Sequence, residues 1–293
     1  MPVRVVQSKD NTRLKELRKA LSAPGRGAGA LVGIEGPKLI EEALRAGLRV
    51  KSIFVAHGPD RTSDRTSDRI SDRASEQILE ALSLPRETEI LHLPKKLLDQ
   101  ALATETPQSI AALIEPPQWN WEQLLNSRRN SAPLIIVLAG LQDPGNLGTI
   151  LRSAEAFGAT GVVSLPGTVS AWNTKAVRAS AGSVFRMPLI VSEIAECIPR
   201  LHGAGLAIFA ALSQGALQAH SADLARPVAL IIGNEGNGVP GALAARADST
   251  ITIPFPGPVE SLNAAVAASV LLYEASRQRA ARSVVSRRER GVR

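Results

Sequence analysis

The amino-acid sequence predicts an α/β fold whose C-terminal part is a mostly parallel sheet. Continuous apolar runs recur along the second half of the chain, at residues 134–139, 161–165, 207–211 and 228–232. Runs of this length are typical of strands that are covered on both faces, as in a parallel sheet. A helical pattern at 147–157 lies between the first two runs. This alternation of strand and helix favours a mostly parallel α/β sheet.

The N-terminal part predicts a smaller α/β domain. Leu14, Leu17 and Leu21 share one face of a helix predicted over residues 11–21, and basic side chains lie elsewhere around it. Further strand and helix signals alternate along the chain, at 30–34, 38–46, 53–56, 78–82, 90–93 and 95–102. The first domain is therefore predicted to be an alternating α/β unit.

The domain boundaries follow from changes in composition. Residues 60–73 hold a short Asp-Arg repeat that is too polar to bury a core, so we predict a surface loop there. Pro116-Pro117 begins a segment that is typical of a linker. We expect a first domain over 1–115, a linker over 116–132, a second domain over 133–280 and a basic tail over 281–293.

The charge of the chain is unevenly distributed. The formal net charge is +7, and seven arginines against one glutamate from position 277 onward account for +6. Such a cluster favours a polyanionic partner because neutralised phosphates release counterions, although a solvated tail is an equal alternative. Aromatic residues make up only 3% of the chain, which argues against a surface of many stacking aromatics.

The cysteine and histidine content disfavours disulfides and metal sites. Cys197 is the only cysteine, so no intrachain disulfide can form and a reducing, cytoplasmic setting fits. The four histidines do not stand at metal-ligand spacing, so we expect no metal. The N-terminus does not resemble a signal peptide, and the apolar runs are too short to span a membrane.

Three loops carry the candidate chemistry, and the first runs from Asp143 to Ala154. Backbone amides at such a helix start can bind an anion. The guanidinium of Arg152, six residues after Asn146, suits a phosphate or an activated hydroxyl. Taken alone, the spacing favours an ordinary turn in which Asn146 caps the helix and Arg152 is solvated.

The second and third loops are rich in glycine and proline, respectively. Closely spaced glycines at 232–240 let the backbone approach a ligand, and Glu235 is uncommon in a mere turn. Neither the phosphate-binding nor the dinucleotide fingerprint is present there. The loop at 253–263 holds three prolines and precedes a helix predicted over 264–279. Ser261 is the predicted N-cap of that helix, and Asn263 could simply satisfy nearby carbonyls.

Together, and in this order, the three loops resemble the signature motifs of the SpoU (TrmH-like) RNA 2′-O-ribose methyltransferase family, which belongs to the knotted SPOUT superfamily. The matching positions are Asn146, Gly148, Arg152 and Ala156-Phe157-Gly158 in motif one, Gly233, Glu235, Gly236 and Gly238 in motif two, and Ser261-Leu262-Asn263 in motif three. The resemblance covers the domain from about 133 to 280. The first domain looks like the family's L30e-like substrate-binding domain, although the Asp-Arg repeat departs from that pattern.

The resemblance implies a fold, a cofactor and a reaction. The fold would be a parallel sheet with a deep trefoil knot. S-adenosylmethionine would be held by backbone groups around four residues, namely Leu212, Gly233, Ile253 and Leu262. The reaction would be methyl transfer to a ribose 2′-hydroxyl. Arg152 would be the candidate base, or would stabilise a developing alkoxide, because an arginine is normally always protonated. Asn146, Glu235, Ser261 and Asn263 would shape the site and orient the ribose.

The resemblance also implies partners. The L30e-like domain would bind RNA through Arg13, Lys15 and Arg26, and ribosomal RNA is the expected substrate more than transfer RNA. Family members are dimers, so Arg152 could serve the partner subunit's cofactor. Three alternatives stay open: a catalytically inactive RNA-binding protein of the same fold, a transfer RNA ribose methyltransferase, and a base methyltransferase. An ordinary nucleotide-binding protein is a weaker alternative because both phosphate fingerprints are missing.

Overall fold

The computed structural model describes residues 2–22, 29–57, 77–102, 104, 106–126 and 132–290, with side chains up to Arg282. The whole predicted Asp-Arg loop (60–73), Arg26 and the last three residues lie outside this range. The chain divides into two compact units. One holds residues up to Pro117 together with Trp172–Phe185, and the other holds Gln118–Ala171 and Arg186 onward.

The first unit is built on a five-stranded mixed sheet in the order β1-β4-β3-β5-β2. The strands are β1 (Val3–Val5), β2 (Val32–Glu35), β3 (Val50–His57), β4 (Glu89–Pro94) and β5 (Ile110–Ile114). Strands β1, β4 and β3 are parallel, whereas β5 is antiparallel to both β3 and β2. Three helices follow the predicted positions closely: α1 (Thr12–Ser22), α2 (Pro37–Arg45) and α3 (Lys95–Leu102).

The apolar face of α1 packs into the core of this unit. Leu14 and Leu17 are fully buried, and Leu21 packs against the same cluster. Phe54 on β3 and Leu98 on α3 complete the contact from the sheet and the neighbouring helix. The helical spacing of the leucines therefore predicted the buried face correctly, because that face is the only way the helix removes its apolar side chains from water.

The second unit is built on a seven-stranded sheet in the order β10-β12-β9-β11-β6-β7-β8, in which every strand pair is parallel. The strands are β6 (Leu134–Leu138), β7 (Gly161–Ser164), β8 (Leu189–Val191), β9 (Ala207–Ala211), β10 (Leu217–Gln218), β11 (Val228–Ile232) and β12 (Ser249–Thr252). The helices are α4 (Trp121–Leu125), α5 (Pro144–Ala156), α6 (Thr174–Ala179), α7 (Ile194–Gly203), α8 (Gly241–Ala244) and α9 (Ala264–Arg290), of which α6 belongs to the first unit.

The central strands of this sheet are the continuous apolar runs. Every residue of β6 and β11 is buried, and these two strands lie side by side with Leu138 opposite Ile232. The predicted mostly parallel sheet is therefore confirmed. Because parallel strands share one carboxyl edge, the loops after β6, β9, β11 and β12 lie along the same edge of the sheet.

Two segments belong to different units than the sequence predicted. Trp172–Phe185 falls within the range predicted for the second domain, yet it packs with the first unit, where a Cβ on Gly182 would lie 2.8 Å from the Cβ of Glu42. The range predicted as a linker contains α4, and its Leu124 is fully buried in the core of the second unit. Their apolar side chains decide where these segments pack, and composition alone does not show that choice.

The ends of two helices also differ from the prediction. Asp143, not Asn146, caps α5, because its carboxylate accepts from the backbone N–H of Gly145 and Asn146. Asn263, not Ser261, caps α9, since its side-chain oxygen accepts from the N–H of Ala265 and Val266. The last helix runs to Arg290 rather than ending at 279, so much of the predicted basic tail continues that helix.

Within the described ranges, no helix combines the length and apolarity needed to cross a membrane. Nor do three or more His, Cys, Asp or Glu side chains of the described residues come together as ligands of a metal ion.

Candidate active site

The loop after β11 is a tight hairpin organised by Asn234. The backbone of Asn234 exchanges two hydrogen bonds with Gly238, of 3.0 and 2.9 Å. Its side-chain oxygen accepts from the N–H of Gly236 at 2.8 Å, and its amide donates to the carbonyl oxygen of Gly140 at 2.8 Å. Asn234 therefore shapes this loop and ties it to the loop after β6. Sequence reasoning missed this role, although an asparagine beginning an Asn-x-Gly turn is a recognised signal.

Gly233 allows the two sides of this hairpin to meet. A Cβ at position 233 would lie 2.0 Å from the carbonyl carbon of Gly238 and 2.2 Å from the nitrogen of Val239. No side chain fits at such distances, and the obstacle is backbone that cannot rotate away. The glycine is thus required by the close approach, as the sequence predicted for this loop in general terms.

A chain of side-chain hydrogen bonds joins the three loops. The Glu235 carboxylate accepts from the Asn146 amide at 2.9 Å and from the backbone N–H groups of Asp143 at 3.1 Å and Gln142 at 3.2 Å. The side-chain oxygen of Asn146 in turn accepts from the Asn263 amide at 3.1 Å. Three of the predicted site residues therefore form one network, although they are 89 and 117 positions apart along the chain.

This network favours the ionised form of Glu235. Partial burial opposes ionisation and is the largest single influence, but the hydrogen bonds from Asn146 and the loop backbone together outweigh it. The pKa of Glu235 is consequently lowered from its ordinary value of 4.5. A carboxylate with a lowered pKa is a weak base near neutral pH, so it suits holding donors in place better than accepting a proton.

A cavity of about 470 Å³ lies among these loops. Its walls include Leu212, Ile253 and Leu262, with Gly233 at the hairpin. The structure thus gathers all four residues that were predicted to hold the cofactor, and cavities of about 300–1,000 Å³ are the usual size for compact organic ligands. Ser261 lines the same cavity, although it does not cap α9.

A second close approach, which the sequence did not reveal, lies next to the wall of the cavity that Gln214 and Ile251 line. A Cβ on Gly215 would lie 2.7 Å from the carbonyl carbon of Ile251. The loop that carries Gly215 is held along β12 by bonds from the Leu212 N–H to the Ile251 carbonyl, 2.9 Å, and from the Thr252 hydroxyl to the Ser213 carbonyl, 2.9 Å. No glycine pattern marks this position, because the contact is with a strand some 35 residues further along the chain.

Arg152 lies on the exposed face of α5 and is not among the residues that line the cavity. Among the described residues its guanidinium has no hydrogen-bond or ion-pair partner. The neighbouring Ser153 hydroxyl lies 2.7 Å from that of Ser269, which joins α5 to α9. Arg152 is therefore a charged group available to a ligand that approaches from outside the cavity.

The predicted RNA-binding residues of the first unit have different surroundings. The Arg13 guanidinium contacts Glu16 and Glu89, each at 2.8 Å, and Lys15 pairs with Asp10 at 3.0 Å on the surface. Arg26 lies outside the described residues. Binding of RNA by these three residues stays a prediction, and Arg13 would have to share its guanidinium with two carboxylates.

The class of protein is an α/β domain with a cavity among glycine-containing loops at the carboxyl edge of a parallel sheet, which is where such domains commonly bind nucleotide-like ligands. Comparison with known proteins makes this specific. The profile of the SpoU rRNA Methylase family matches residues 133–273, and that of an MRM3-like substrate binding domain matches residues 11–112.

Relatives and solved structures agree with both matches. The chain is 31% identical over 268 residues to the 23S rRNA (guanosine(2553)-2′-O)-methyltransferase RlmP of Bacillus subtilis, covering 92% of this chain and 97% of that protein. An AdoMet-bound rRNA methyltransferase from Sinorhizobium meliloti superposes with a TM-score of 0.75 at 27% identity, covering 94% of this chain and 98% of that one. The SpoU methyltransferase AviRb from Streptomyces viridochromogenes, in complex with AdoMet, gives 0.75 at 27% identity, with 92% and 98% covered.

The chain belongs to the SpoU rRNA methylase family. It is accordingly an RNA methyltransferase that uses S-adenosylmethionine, and the predicted family, enzyme class and cofactor are confirmed.

Proposed function

We propose that this protein methylates a ribose 2′-hydroxyl of ribosomal RNA. The observation that carries the proposal is the network joining Asn146, Glu235 and Asn263 beside a cavity lined by the four predicted cofactor residues. The Bacillus subtilis relative supports the ribose and the ribosomal RNA, because its name specifies both and the alignment covers nearly the whole of each chain.

The cavity fits S-adenosylmethionine by size and by the chemistry of its walls. Leu212, Ile253 and Leu262 offer apolar surface to an adenine, and the loop backbone near Gly233 offers hydrogen-bonding groups at close range. When bound, the cofactor supplies an electrophilic methyl group on a sulfonium. We also expect the trefoil knot of the family in this domain, with the loops at 233–238 and 253–263 as parts of it.

Arg152 acts on the ribose hydroxyl or on the phosphate beside it. A guanidinium binds a phosphate through two parallel N–H bonds and stabilises negative charge that develops on an oxygen. Glu235 and Asn146 hold the loop before α5, and Asn263 positions Asn146 from the start of α9. These residues therefore orient the group that reacts, while the proton of the hydroxyl leaves to an acceptor near Arg152.

A homodimer fits the outer surface of α9. Val266, Val270 and Tyr273 are 49%, 38% and 55% exposed and recur at helical spacing, so they form an apolar stripe. Tyr273 also contacts the ring of Phe157 at the end of α5, the helix that carries Arg152. Burying this stripe against a second copy would bring Arg152 close to the interface, so that it could serve the partner's cofactor. We place the reaction in the cytoplasm, where the unpaired, buried Cys197 suits reducing conditions.

Transfer of tritium from labelled S-adenosylmethionine tests this function. Ribosomal and transfer RNA that lack the modification are offered separately, and the products are analysed as nucleosides. Label in a 2′-O-methyl nucleoside from ribosomal RNA is the expected result. Label in transfer RNA instead would mean that transfer RNA, and not ribosomal RNA, is the substrate. Label in a methylated base would refute the ribose 2′-hydroxyl as the group that is methylated. No transfer, despite measured cofactor binding, would favour the inactive RNA-binding alternative.

A further inference from the structure

Arg279 lies on α9 far from the active-site loops, and its guanidinium donates to main-chain carbonyls. Its Nε donates to Leu224 at 3.0 Å. One terminal nitrogen donates to Pro133 at 3.0 Å and Arg226 at 2.8 Å, and the other donates to Ala132. The sequence placed this arginine in a basic cluster expected to attract polyanions. In the structure its guanidinium is partly buried, and main-chain carbonyls occupy its donors.

This arrangement uses most of the hydrogen-bonding capacity of the side chain. A guanidinium has five N–H donors in a fixed fork, and four carbonyls are arranged around this one. Burial lowers the pKa of Arg279 to about 10. The preceding residue, Gln278, binds the chain segment before β11 as well. Its side chain accepts a hydrogen bond from the Leu224 N–H at 2.8 Å and donates one to the Ala222 carbonyl at 3.0 Å. Lysine could not replace Arg279 here, because an ammonium cannot reach carbonyls in this planar spread.

The carbonyls that bind Arg279 lie at the start of the two central strands. Ala132 and Pro133 precede β6, and Leu224 and Arg226 precede β11. The carboxyl ends of these strands lead into the loops of Asn146 and Glu235, at the other edge of the sheet. From Ala264 to Arg279 the helix rises about 22 Å, and a five-residue strand spans about 16 Å. The helix therefore spans the sheet from one edge to the other.

We propose that Arg279 is a positioning residue, which fixes α9 along its axis and so places Asn263 and Leu262 at the active site. Its four hydrogen bonds hold the C-terminal part of the helix to the edge of the sheet where the strands begin. The hydrogen bond from Asn263 to Asn146 holds the start of the helix to the opposite edge, where the strands end. A helix free to slide or fray at one end would relax the other, because a continuous helix transmits an axial shift along its length. The proposal rests on the proposed function only in taking Asn263 as part of the reacting site.

Two neighbouring arginines provide matched controls. Arg277 pairs with Glu274 on the surface at 2.7 Å, and Arg282 lies 3.8 Å from Asp223 with 65% of its side chain exposed. Both carry the same charge on the same helix, and neither side chain is hydrogen-bonded to the strand starts. Arg282→Met therefore changes the net charge as Arg279→Met does, without removing the anchor.

Hydrogen–deuterium exchange of the whole protein tests the anchor without any RNA. In Arg279→Met, amides at 264–267 should exchange about tenfold faster, since the N–H groups of Ala265 and Val266 are held by Asn263. Affinity for S-adenosylmethionine, measured by calorimetry, should fall in parallel. Arg282→Met should leave both unchanged. Faster exchange confined to 222–226 and 274–282 would overturn the proposal, because the anchor would then be local.

A double-mutant cycle separates positioning from general destabilisation. At saturating S-adenosylmethionine, which removes the effect through Leu262 on cofactor binding, Arg279→Met should lower kcat in the wild-type background. It should have little further effect once Asn263→Ala has been made, because Asn263 is the residue through which it acts on the reacting group. Equal losses in both backgrounds would overturn the proposal. If Arg279→Met does not fold, Arg279→Lys keeps the charge, loses the fork and gives the same comparison. Failure of wild-type methyl transfer would refute the proposed function. The exchange and binding results would still show whether Arg279 fixes the position of α9.

Discussion

Glu235→Gln tests whether one carboxylate holds the active-site loops together. In the wild type it accepts hydrogen bonds from Asn146, Asp143 and Gln142. Glutamine keeps one oxygen, which can still accept from Asn146 and Asp143. Its amide nitrogen then faces the N–H of Gln142, so two donors meet where one bond was made. The other two bonds also lose their charge assistance.

The expected loss follows from these three bonds. A hydrogen bond to a charged acceptor contributes about 1.5–3 kcal/mol and a neutral one about 0.5–1.5 kcal/mol. Because Glu235 is only slightly buried and its side chain is mostly exposed, the low end of each range applies. Loss of one bond of about 1.5 kcal/mol and weakening of two by about 1 kcal/mol each sum to about 3.5 kcal/mol. Solvent screening of this exposed carboxylate reduces the loss to about 2 kcal/mol, or roughly a 30-fold lower kcat/KM if the loop must be ordered in the transition state.

Tritium transfer and calorimetry measure the two consequences separately. We expect kcat/KM to fall while cofactor affinity changes less, because the bonds of Glu235 hold the Asn146 loop rather than the wall formed by Leu212 and Ile253. The matched control is Glu260→Gln, an exposed glutamate in the loop before α9. Unchanged kcat/KM in Glu235→Gln, with the fold intact by circular dichroism, would refute the reasoning.

The pH dependence of stability gives an independent check on Glu235. Its pKa is lower in the folded protein than its ordinary value of 4.5. The folded state therefore gains stability from the carboxylate above pH 4.5, and loses it as the pH falls through the folded pKa. Urea denaturation should show the wild type more stable than Glu235→Gln near neutral pH, with the difference shrinking below pH 4.5. A difference that does not change with pH would contradict the ionised network.

Three further predictions concern the cavity, the guanidinium and the cysteine. Gly233→Ala should abolish cofactor binding in calorimetry, because its Cβ would lie 2.0 Å from the Gly238 backbone, whereas Gly241→Ala, with open space around its Cβ, should bind normally. Arg152→Ala should lower methyl transfer at least about 100-fold and leave cofactor affinity nearly unchanged; loss of binding instead would assign Arg152 to the fold. Burial raises the pKa of Cys197 to about 12, so iodoacetamide at pH 8 should label it only after urea unfolding, and rapid labelling of the native protein would contradict its burial.

The long central strands could be predicted from sequence because each carries its own signal. Burial on both faces requires continuous apolar residues, and β9 and β11 lie where those runs predicted them. The edge strands could not be predicted in this way. β10 has two residues and β12 reads Ser-Thr-Ile-Thr, so their pairing depends on neighbours far along the chain rather than on local pattern.

For the candidate site too, some features could be predicted from the sequence and others could not. Asn146, Glu235 and Asn263 were identified through motif resemblance, whereas the bonds between them depend on three strands ending at one edge. The helix caps show how local signals compete. Asp143 followed by Pro144 is a strong start signal that was present in the sequence. Ser261 and Asn263 are equally good caps, and the choice between them depends on where Ala264 and Ala265 become buried.

The charges around the cavity limit where the ribose proton can go. Among the described residues lining it, Glu235 alone is ionisable, and its lowered pKa and three donors make it a poor base. A guanidinium carries only hydrogen-bond donors and no acceptor, so Arg152 suits stabilising negative charge better than taking the proton. We therefore expect the acceptor to come with the substrate or with solvent. A phosphate bound by Arg152 would serve, since the guanidinium would stabilise the negative charge that develops on the ribose oxygen while the phosphate, or a water beside it, takes the proton. On this reasoning a substrate whose neighbouring phosphate is replaced by an uncharged methylphosphonate should bind but react slowly. A normal rate with that substrate would mean that water alone is the acceptor.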